Sequence, residues 1–346
     1  MSLSSFPFVD NVIKIGKGLL LTTALAACAA GFCTFSLAQS AEAVPVREDE
    51  PVKTLDFLPK RPVSMWKDDE IATRGIVVAV HGLVMHGRVY DTMARELASQ
   101  GMLVFAPDLR GYGRWTAAGN DENSKVEAKV AYERSFEDLK ELVTVLRSQY
   151  PDLPIYMVGE SMGAGMSIRI AAALPDKVDG LVLSSPAIKR RFYLEPEMVK
   201  DLAHLVANPM GEVNLVPYIK KFASEDPVIA DEALQDPFVR KHLNCLDLLN
   251  TASYIKGNIN HVSQVPADMP VLIIQGDKDR MLRCEAVKSL MSRLKSRDTT
   301  MCWLKGKGHV LIETSHIEPS TMTTIKSWLN DHVAPSAQSR NLLSSN

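Results

Sequence analysis

The sequence predicts an α/β fold with a mostly parallel central sheet, helices on its faces and a helical cap inserted between two strands. Short apolar runs alternate with amphipathic stretches of helical spacing, a pattern typical of parallel strands joined by crossover helices. The alternation is broken once, between residues 189 and 266. The chain has 346 residues, enough for one large domain or a domain with an insertion, and for a buried core.

The individual strands and helices follow from local patterns. Short apolar runs predict strands at 76–80, 102–107, 155–158, 181–184, 271–275 and 301–304. Apolar residues three and four positions apart predict helices at 88–100, 135–150, 162–174, 285–294 and 320–332. In the second of these helices the apolar stripe consists of Phe136, Leu139, Leu142, Val143 and Leu146.

The remaining segments set the predicted boundaries. Residues 44–52 are charged and punctuated by proline, which predicts a linker; the α/β domain then spans 53–335, and 336–346 form a polar tail. Residues 189–266 have helical character, with Pro227 and Pro237 as punctuation and no strong strand. Such an insertion is typical of a cap over the carboxyl edge of the sheet, where open α/β sheets bind their ligands.

The first 43 residues differ in composition from the rest of the chain. Lys14 and Lys17 precede an uncharged, mostly apolar run at 18–38, and Ala-Glu-Ala follows at 41–43, which together predict a secretory signal peptide. Two alternatives stay open. The run is long enough to span a bilayer as an uncleaved anchor, and Leu-Ala-Ala-Cys ending at Cys28 resembles a bacterial lipobox. All three predict an exported protein, either secreted or periplasmic or associated with a membrane through this segment.

The charge and the cysteines exclude several classes of protein. A formal net charge of -2 argues against a nucleic-acid partner, because phosphate binding needs a strongly basic face. Cys28 and Cys33 lie in the leader, and Cys245, Cys284 and Cys302 remain, an odd number without metal-ligand spacing. We therefore expect structural thiols, no metal and no organic cofactor. The sequence does not fix the oligomeric state.

One motif places a serine where a nucleophile would be exposed. Gly-Glu-Ser-Met-Gly at 159–163 lies directly between a predicted strand and a predicted helix. At so tight a turn the flanking glycines avoid side-chain clashes, and the hydroxyl is held clear of the backbone beside the positive end of the helix. Ser161 is therefore the predicted nucleophile. The alternative is a serine that caps an ordinary helix in a glycine-rich turn.

A serine nucleophile needs a base that a third group holds in place. In α/β folds with the serine on such a strand-to-helix turn, these residues follow along the chain in the order Ser, acid, His. Gly-Asp-Lys-Asp at 276–279 and Gly-Lys-Gly-His at 306–309 each follow a predicted strand, so both loops lie at the same edge as Ser161. This position and order select His309 as the base. On charge and spacing alone, Asp277 and Asp279 are both candidates for the acid.

Acyl transfer through a serine also needs two donors for the oxyanion of the tetrahedral intermediate. The backbone N–H of Met162, next to the nucleophile, is one candidate. The backbone N–H of Leu83, in the loop after the first predicted strand, is the other. We expect His81, which begins this loop, to be structural and to bond to nearby backbone.

The motifs together resemble those of a known group. His-Gly-Leu-Val-Met-His at 81–86, Asp-Leu-Arg-Gly-Tyr-Gly-Arg at 108–114, the serine motif, Asp-Pro at 236–237 and Gly-Asp-Lys-Asp at 276–279 are similar to the monoacylglycerol lipase and lysophospholipase group of α/β hydrolases, which includes serine aminopeptidase-type enzymes. The resemblance implies the α/β-hydrolase fold. It also implies that Asp279, three residues beyond the strand-ending Gly276, is the acid, and that Leu83 and Met162 supply the oxyanion donors.

The expected function is hydrolysis of carboxylic esters, with a small acyl ester or lipid such as a monoacylglycerol or lysophospholipid as substrate. Two alternatives remain. A serine peptidase uses the same catalytic groups on an amide, and a non-catalytic binding protein shares the fold but typically lacks one of those groups. Epoxide hydrolases and haloalkane dehalogenases of this fold are excluded, because they need a carboxylate where Ser161 stands.

Overall fold

The computed structural model of the chain describes residues 46–48, 61–117, 129–188, 211–282 and 284–333. The predicted leader, the predicted tail and the first part of the predicted cap, 189–210, lie outside these ranges. Across the described ranges, no helix combines the length and apolar composition that a membrane crossing requires.

The described strands form one large sheet and one small ribbon. In chain order they are β1 (Val46–Glu48), β2 (Val63–Lys67), β3 (Gly75–Val80), β4 (Met102–Pro107), β5 (Ile155–Glu160), β6 (Gly180–Ser184), β7 (Glu212–Asn214), β8 (His242–Asn244), β9 (Val271–Gly276) and β10 (Thr299–Leu304). Within the described ranges the large sheet has eight strands in the order β1-β2-β4-β3-β5-β6-β9-β10. Within the described ranges, β2 is antiparallel to both β1 and β4, and the other neighbouring pairs of that sheet are parallel. The predicted mostly parallel sheet is confirmed.

Helices connect the parallel strands as predicted. They are α1 (Asp91–Ala98), α2 (Arg114–Ala117), α3 (Tyr132–Gln149), α4 (Met162–Ala173), α5 (Val216–Phe222), α6 (Pro227–Gln235), α7 (Cys245–Asn258), α8 (Cys284–Met291) and α9 (Pro319–His332). A short 3-10 turn at Gly87–Tyr90 leads into α1, so the predicted helix at 88–100 begins with a tighter turn.

The core lies on both faces of the sheet, which explains the continuous apolar runs. In β3, Ile76 and Val78 pack with α3 and α4, whereas Val77 and Ala79 pack with α1 and α9. All six residues of β3 are buried. Strands covered by helices on both faces are apolar at every position, and such runs can be recognised from sequence alone.

The prediction of a linker at 44–52 is wrong for three of its residues. Residues 46–48 form the edge strand β1, with Arg47 paired to Trp66 of β2. β2 was not predicted either, although it connects β1 to the main sheet through β4. Both strands depend on backbone pairing with distant residues, which a local charged or mixed sequence does not indicate.

The described part of the cap contains the expected helices and one unexpected ribbon. Helices α5, α6 and α7 lie in this segment, and β7 pairs antiparallel with β8, Val213 opposite Leu243. The expectation of no strong strand therefore missed two strands of three residues each. Two backbone hydrogen bonds tie the segment to loops at the carboxyl edge of the sheet: Arg240 N–H to Val84 O at 2.9 Å, and Val310 N–H to Ala223 O at 2.8 Å.

Candidate active site

Ser161 occupies a strained turn between β5 and α4. Its backbone has φ 55° and ψ −116°, a conformation that residues other than glycine rarely adopt. The flanking glycines are required by close packing. A Cβ on Gly163 would lie 1.8 Å from the carbonyl oxygen of Val80, and one on Gly159 would lie 2.5 Å from the backbone of Gly163. The strand–turn–helix context predicted for this motif is confirmed.

The structure brings three predicted side chains into one hydrogen-bonded line. His309 Nε2 lies 2.9 Å from Ser161 Oγ, and His309 Nδ1 lies 2.8 Å from Asp279 Oδ2. Asp279 follows β9 and His309 follows β10, so neighbouring parallel strands deliver both groups to the edge where β5 ends. With Nδ1–H donating to the Asp279 carboxylate, the imidazole can accept the serine proton at Nε2.

The turn after β9 distinguishes the two aspartates. Asp279 Oδ1 accepts hydrogen bonds from the backbone N–H groups of Met281 and Leu282, each at 2.8 Å, and Oδ2 accepts one from Gln275 Nε2 at 2.9 Å. Asp277 is exposed and accepts a hydrogen bond from Gly306 N–H at 2.6 Å instead. Asp279, which the family resemblance selected, is therefore the carboxylate that faces His309.

Asp279 and His309 shift each other's pKa in opposite directions. Burial would raise the pKa of Asp279, but the charge and hydrogen bond of His309 outweigh it, and the net effect lowers that pKa below its ordinary value. For His309, burial would lower the pKa, but the carboxylate of Asp279 more than offsets it and the pKa is raised. The arrangement therefore favours an ionised Asp279 and a His309 that is more basic than an ordinary histidine.

The two predicted oxyanion donors belong to segments that adjoin Ser161. Met162 is the first residue of α4, so its backbone N–H has no acceptor inside the helix. Leu83 lies in the loop after β3, and its N–H makes no hydrogen bond to any residue in the described ranges. Gly82, just before Leu83, is so near the nucleophile that an added Cβ would lie 3.4 Å from Ser161 Cβ.

His81 is structural, as expected. Its Nδ1 lies 2.8 Å from Gly82 O, and its Nε2 accepts a hydrogen bond from Leu109 N–H at 2.9 Å. Burial lowers the pKa of His81 to about 4, so the ring is neutral. A neutral ring can donate to one backbone group and accept from the other, which joins the loop after β3 to the loop after β4.

The cap contacts the loop that carries Leu83. Val84 has φ 66°, which is strained for a β-branched residue, and its carbonyl accepts the hydrogen bond from Arg240. Two residues further on, His86 Nε2 lies 2.9 Å from Asp236 Oδ2 of the cap. The strained loop is thus held from the cap side at two points.

Sequence reasoning missed a buried carboxylate beside the nucleophile. Glu160 is fully buried, and its carboxylate accepts hydrogen bonds from Ser184 Oγ at 2.5 Å and from the N–H groups of Leu311 at 2.9 Å and Glu313 at 3.1 Å. It therefore anchors the segment just after His309. The first variable position of Gly-x-Ser-x-Gly, which Glu160 occupies, is not fixed by the motif, so the pattern gave no sign of this role.

Residues near His309 also border a cavity of about 280 Å³. Gly308 and Val310 line one side, Ser224 and Asp226 of the cap line another, and Thr321 of α9 closes it with a buried hydroxyl that has no partner within the described residues.

Metal-ligating and thiol groups do not form a site in the described part of the chain. No cluster of three or more His, Cys, Asp or Glu side chains there is placed to hold a metal ion. Cys245, Cys284 and Cys302 are free thiols, as expected. Cys28 and Cys33 lie outside the described ranges.

The sheet order, the serine turn and the hydrogen-bonded line of Ser161, His309 and Asp279 define an α/β-hydrolase. The profile of the family described as serine aminopeptidase, S33, matches residues 71–315. This match covers well over half of the chain, and the protein belongs to that family.

Sequence relatives agree with the predicted resemblance. Monoglyceride lipase of Mus musculus is 28% identical over 278 residues, covering 78% of this chain and 86% of that protein. Monoacylglycerol lipase of Mycolicibacterium smegmatis is 28% identical over 277 residues, covering 78% and 92%. The predicted resemblance to monoacylglycerol lipases is confirmed.

Solved structures agree on the fold. A soluble variant of monoglyceride lipase from Saccharomyces cerevisiae, in complex with a substrate analog, superposes with a TM-score of 0.66 at 18% identity, covering 84% of this chain and 97% of that one. Monoacylglycerol lipase from Paleococcus ferrophilus gives a TM-score of 0.63 at 23% identity, covering 79% and 99%.

Proposed function

We propose that this carboxylic-ester hydrolase cleaves monoacylglycerols or lysophospholipid-like acyl esters, with Ser161 as nucleophile, His309 as general base and acid, and Asp279 orienting His309. The observation that carries the proposal is the hydrogen-bonded line from Ser161 Oγ through His309 to Asp279, at 2.9 and 2.8 Å, on a strained strand-to-helix turn. Nucleophile, base and orienting carboxylate in this geometry are the parts that acyl transfer through a serine requires.

The first half-reaction transfers the acyl group to the enzyme. Ser161 Oγ attacks the ester carbonyl carbon while its proton moves to His309 Nε2. The carbonyl oxygen becomes an oxyanion, which the N–H groups of Leu83 and Met162 stabilise. When the tetrahedral intermediate collapses, the bond to the alcohol oxygen breaks, and that oxygen takes the proton from His309. The products are the free alcohol and an acyl ester on Ser161.

The second half-reaction restores the enzyme. His309 Nε2 takes a proton from water as the water oxygen attacks the acyl carbon. A second oxyanion forms at the same donors and collapses, the bond to Ser161 Oγ breaks, and His309 returns its proton to Oγ. Throughout, Asp279 keeps the Nδ1 proton on its side of the ring and balances the imidazolium charge.

The proposed substrate class is supported by the relatives and by the position of the cap. Mouse and mycobacterial relatives are named as monoglyceride and monoacylglycerol lipases. Cap residues lie over the catalytic edge and border the cavity behind His309, where a cap can select the acyl or alcohol part of a substrate. No metal or organic cofactor enters the proposed mechanism.

The test is hydrolysis of p-nitrophenyl esters of increasing chain length, a monoacylglycerol and a lysophospholipid by the full chain, with Ser161→Ala alongside. We expect a preference for acyl esters and a fall in kcat of about 10⁴–10⁶-fold in the variant. Hydrolysis of an aminoacyl p-nitroanilide in preference to every ester would establish the peptidase alternative. No activity above Ser161→Ala on any substrate would overturn the proposal.

We also propose that the predicted leader exports the protein. N-terminal sequencing of the chain from membrane and secreted fractions tests this. Cleavage after the Ala-Glu-Ala segment, a lipidated Cys28 or an intact anchor would each support export, whereas an intact chain in the soluble cytoplasmic fraction would contradict it.

A further inference from the structure

A second buried carboxyl group lies against the loop that carries Leu83. Glu313 follows His309 by four positions and is 5% exposed. Its Oε1 accepts a hydrogen bond from Gly82 N–H at 2.6 Å, across 231 positions of sequence, and lies 3.0 Å from the hydroxyl of Tyr90. This contact joins the loop after His309 to the loop after β3.

Gly82 is also in close contact with the side chains on both sides of it. A Cβ added there would lie 3.0 Å from Glu313 Oε2 and 3.4 Å from Ser161 Cβ, so the residue is wedged between the two side chains. The next peptide carries the N–H of Leu83. A shift of Gly82 would therefore move that donor relative to the carbonyl that Ser161 attacks.

The surroundings indicate that Glu313 is the neutral member of a carboxyl pair. Burial raises the pKa of Glu160 as well, but Glu160 accepts hydrogen bonds from Ser184 and from three consecutive backbone N–H groups at 311–313, which favour its ionised form. Burial, and then the charge of Glu160, raise the pKa of Glu313 well above its ordinary value. Two neighbouring carboxyl groups in a water-free environment rarely ionise together.

We propose that Glu313 is a positioning residue whose neutral carboxyl group holds Gly82, and thereby directs the N–H of Leu83 at the oxyanion. The role rests on the proposed function of Ser161. Glu313 does not touch the substrate and acts through the backbone of the loop after β3. The cap contacts the same loop at Val84 and His86.

Two variants separate this role from simple packing. Glu313→Gln keeps a carbonyl oxygen that can accept from Gly82 and has no charge, so we expect kcat close to that of the wild type. Glu313→Met keeps the length of the side chain but loses the oxygen, and we expect kcat to fall ~10²-fold, the loss typical of a catalytic group displaced by about 1 Å. KM should change little, because the oxyanion forms only after binding.

A transition-state analogue gives a second readout. A trifluoromethyl ketone forms a tetrahedral adduct with a serine and needs the same donors, so Glu313→Met should raise its inhibition constant by about the factor by which kcat/KM falls. Glu137→Met is the matched control. It makes the same chemical change at an exposed glutamate of α3 paired with Lys140, and should leave kcat and inhibition unchanged.

The outcomes are distinct. Wild-type kcat in Glu313→Met, or a loss in Glu313→Gln as large as in Glu313→Met, would overturn the neutral positioning role. If Glu313→Met does not fold, as near-ultraviolet circular dichroism would report, Glu313→Asp replaces it, because its shorter side chain cannot reach Gly82 and should also lower kcat.

Hydrogen exchange separates failure of this inference from failure of the proposed function. Protection of the Gly82 amide should fall in Glu313→Met relative to Glu137→Met, whether or not any ester is a substrate. If the wild type hydrolyses no ester but this protection falls, the proposed function fails while the hold on the loop stands. Unchanged protection overturns the inference itself.

Discussion

Asp279 precedes His309 in the chain and Glu313 follows it. Both carry buried carboxyl groups, and their surroundings favour opposite protonation states. Asp279 accepts four hydrogen bonds, from Gln275, Met281, Leu282 and His309. Glu313 has two donors, Gly82 N–H and Tyr90 Oη, and lies beside the carboxylate of Glu160. Burial raises the pKa of both groups, but the neighbouring charge has opposite signs in the two places. The sign of the nearest charge and the number of donors decide which carboxyl group ionises.

The largest effect should come from removing the charge of Asp279. In Asp279→Asn the amide cannot balance the imidazolium and favours the wrong tautomer of His309, so kcat should fall by about 10⁴-fold. Steady-state hydrolysis of a p-nitrophenyl ester measures this, with Asp277→Asn as the matched control in the same turn. A loss in the control as large as in Asp279→Asn would mean that the geometry has been assigned to the wrong aspartate.

The dependence of rate on pH should sharpen the same contrast. Because Asp279 raises the pKa of His309, the acid limb of kcat/KM should lie above the ordinary histidine value of 6.5. Activity is expected to fall as pH decreases through that limb, since only neutral His309 accepts the serine proton. In Asp279→Asn the limb should move to lower pH. A wild-type limb at or below 6.5 would contradict the assigned electrostatics.

The smallest expected effect concerns stability. A carboxyl group whose folded pKa is raised, as for Glu313, stabilises the fold below its unfolded pKa, and this contribution is lost as pH rises towards the folded value. Asp279 has the opposite sign, because its lowered pKa adds stability above the unfolded value, lost as pH falls.

Glu313→Gln removes the pH-dependent contribution of Glu313 to stability. The free energy of unfolding of the variant, relative to the wild type, should therefore increase as pH rises above 4.5, the ordinary value for glutamate. Urea unfolding at several pH values measures it, with Glu137→Gln, at an exposed glutamate, as control. A difference that is independent of pH, or that decreases, would show that Glu313 is ionised in the folded protein.

Much of the fold was accessible from the sequence because the information was local. Strands covered on both faces appear as unbroken apolar runs, and each of the six predicted strands is present within the described residues. The serine turn was recognised because its two glycines and its strand–helix context are adjacent in sequence. Strands β1, β2, β7 and β8 were missed, since pairing with a distant partner forms them rather than a distinctive composition.

The sequence by itself determined the α/β architecture, Ser161 as the exposed serine and His309 as its partner, because motif, order and strand position are linear properties. Charge and spacing left Asp277 and Asp279 open, and the family resemblance implied Asp279. The tertiary structure shows why Asp279 faces His309, since the direction of each side chain depends on hydrogen bonds from backbone N–H groups. Only the tertiary structure revealed Glu160 and Glu313. Their protonation depends on donors and charges that lie far apart in the chain and meet only in the folded interior, where water no longer screens them.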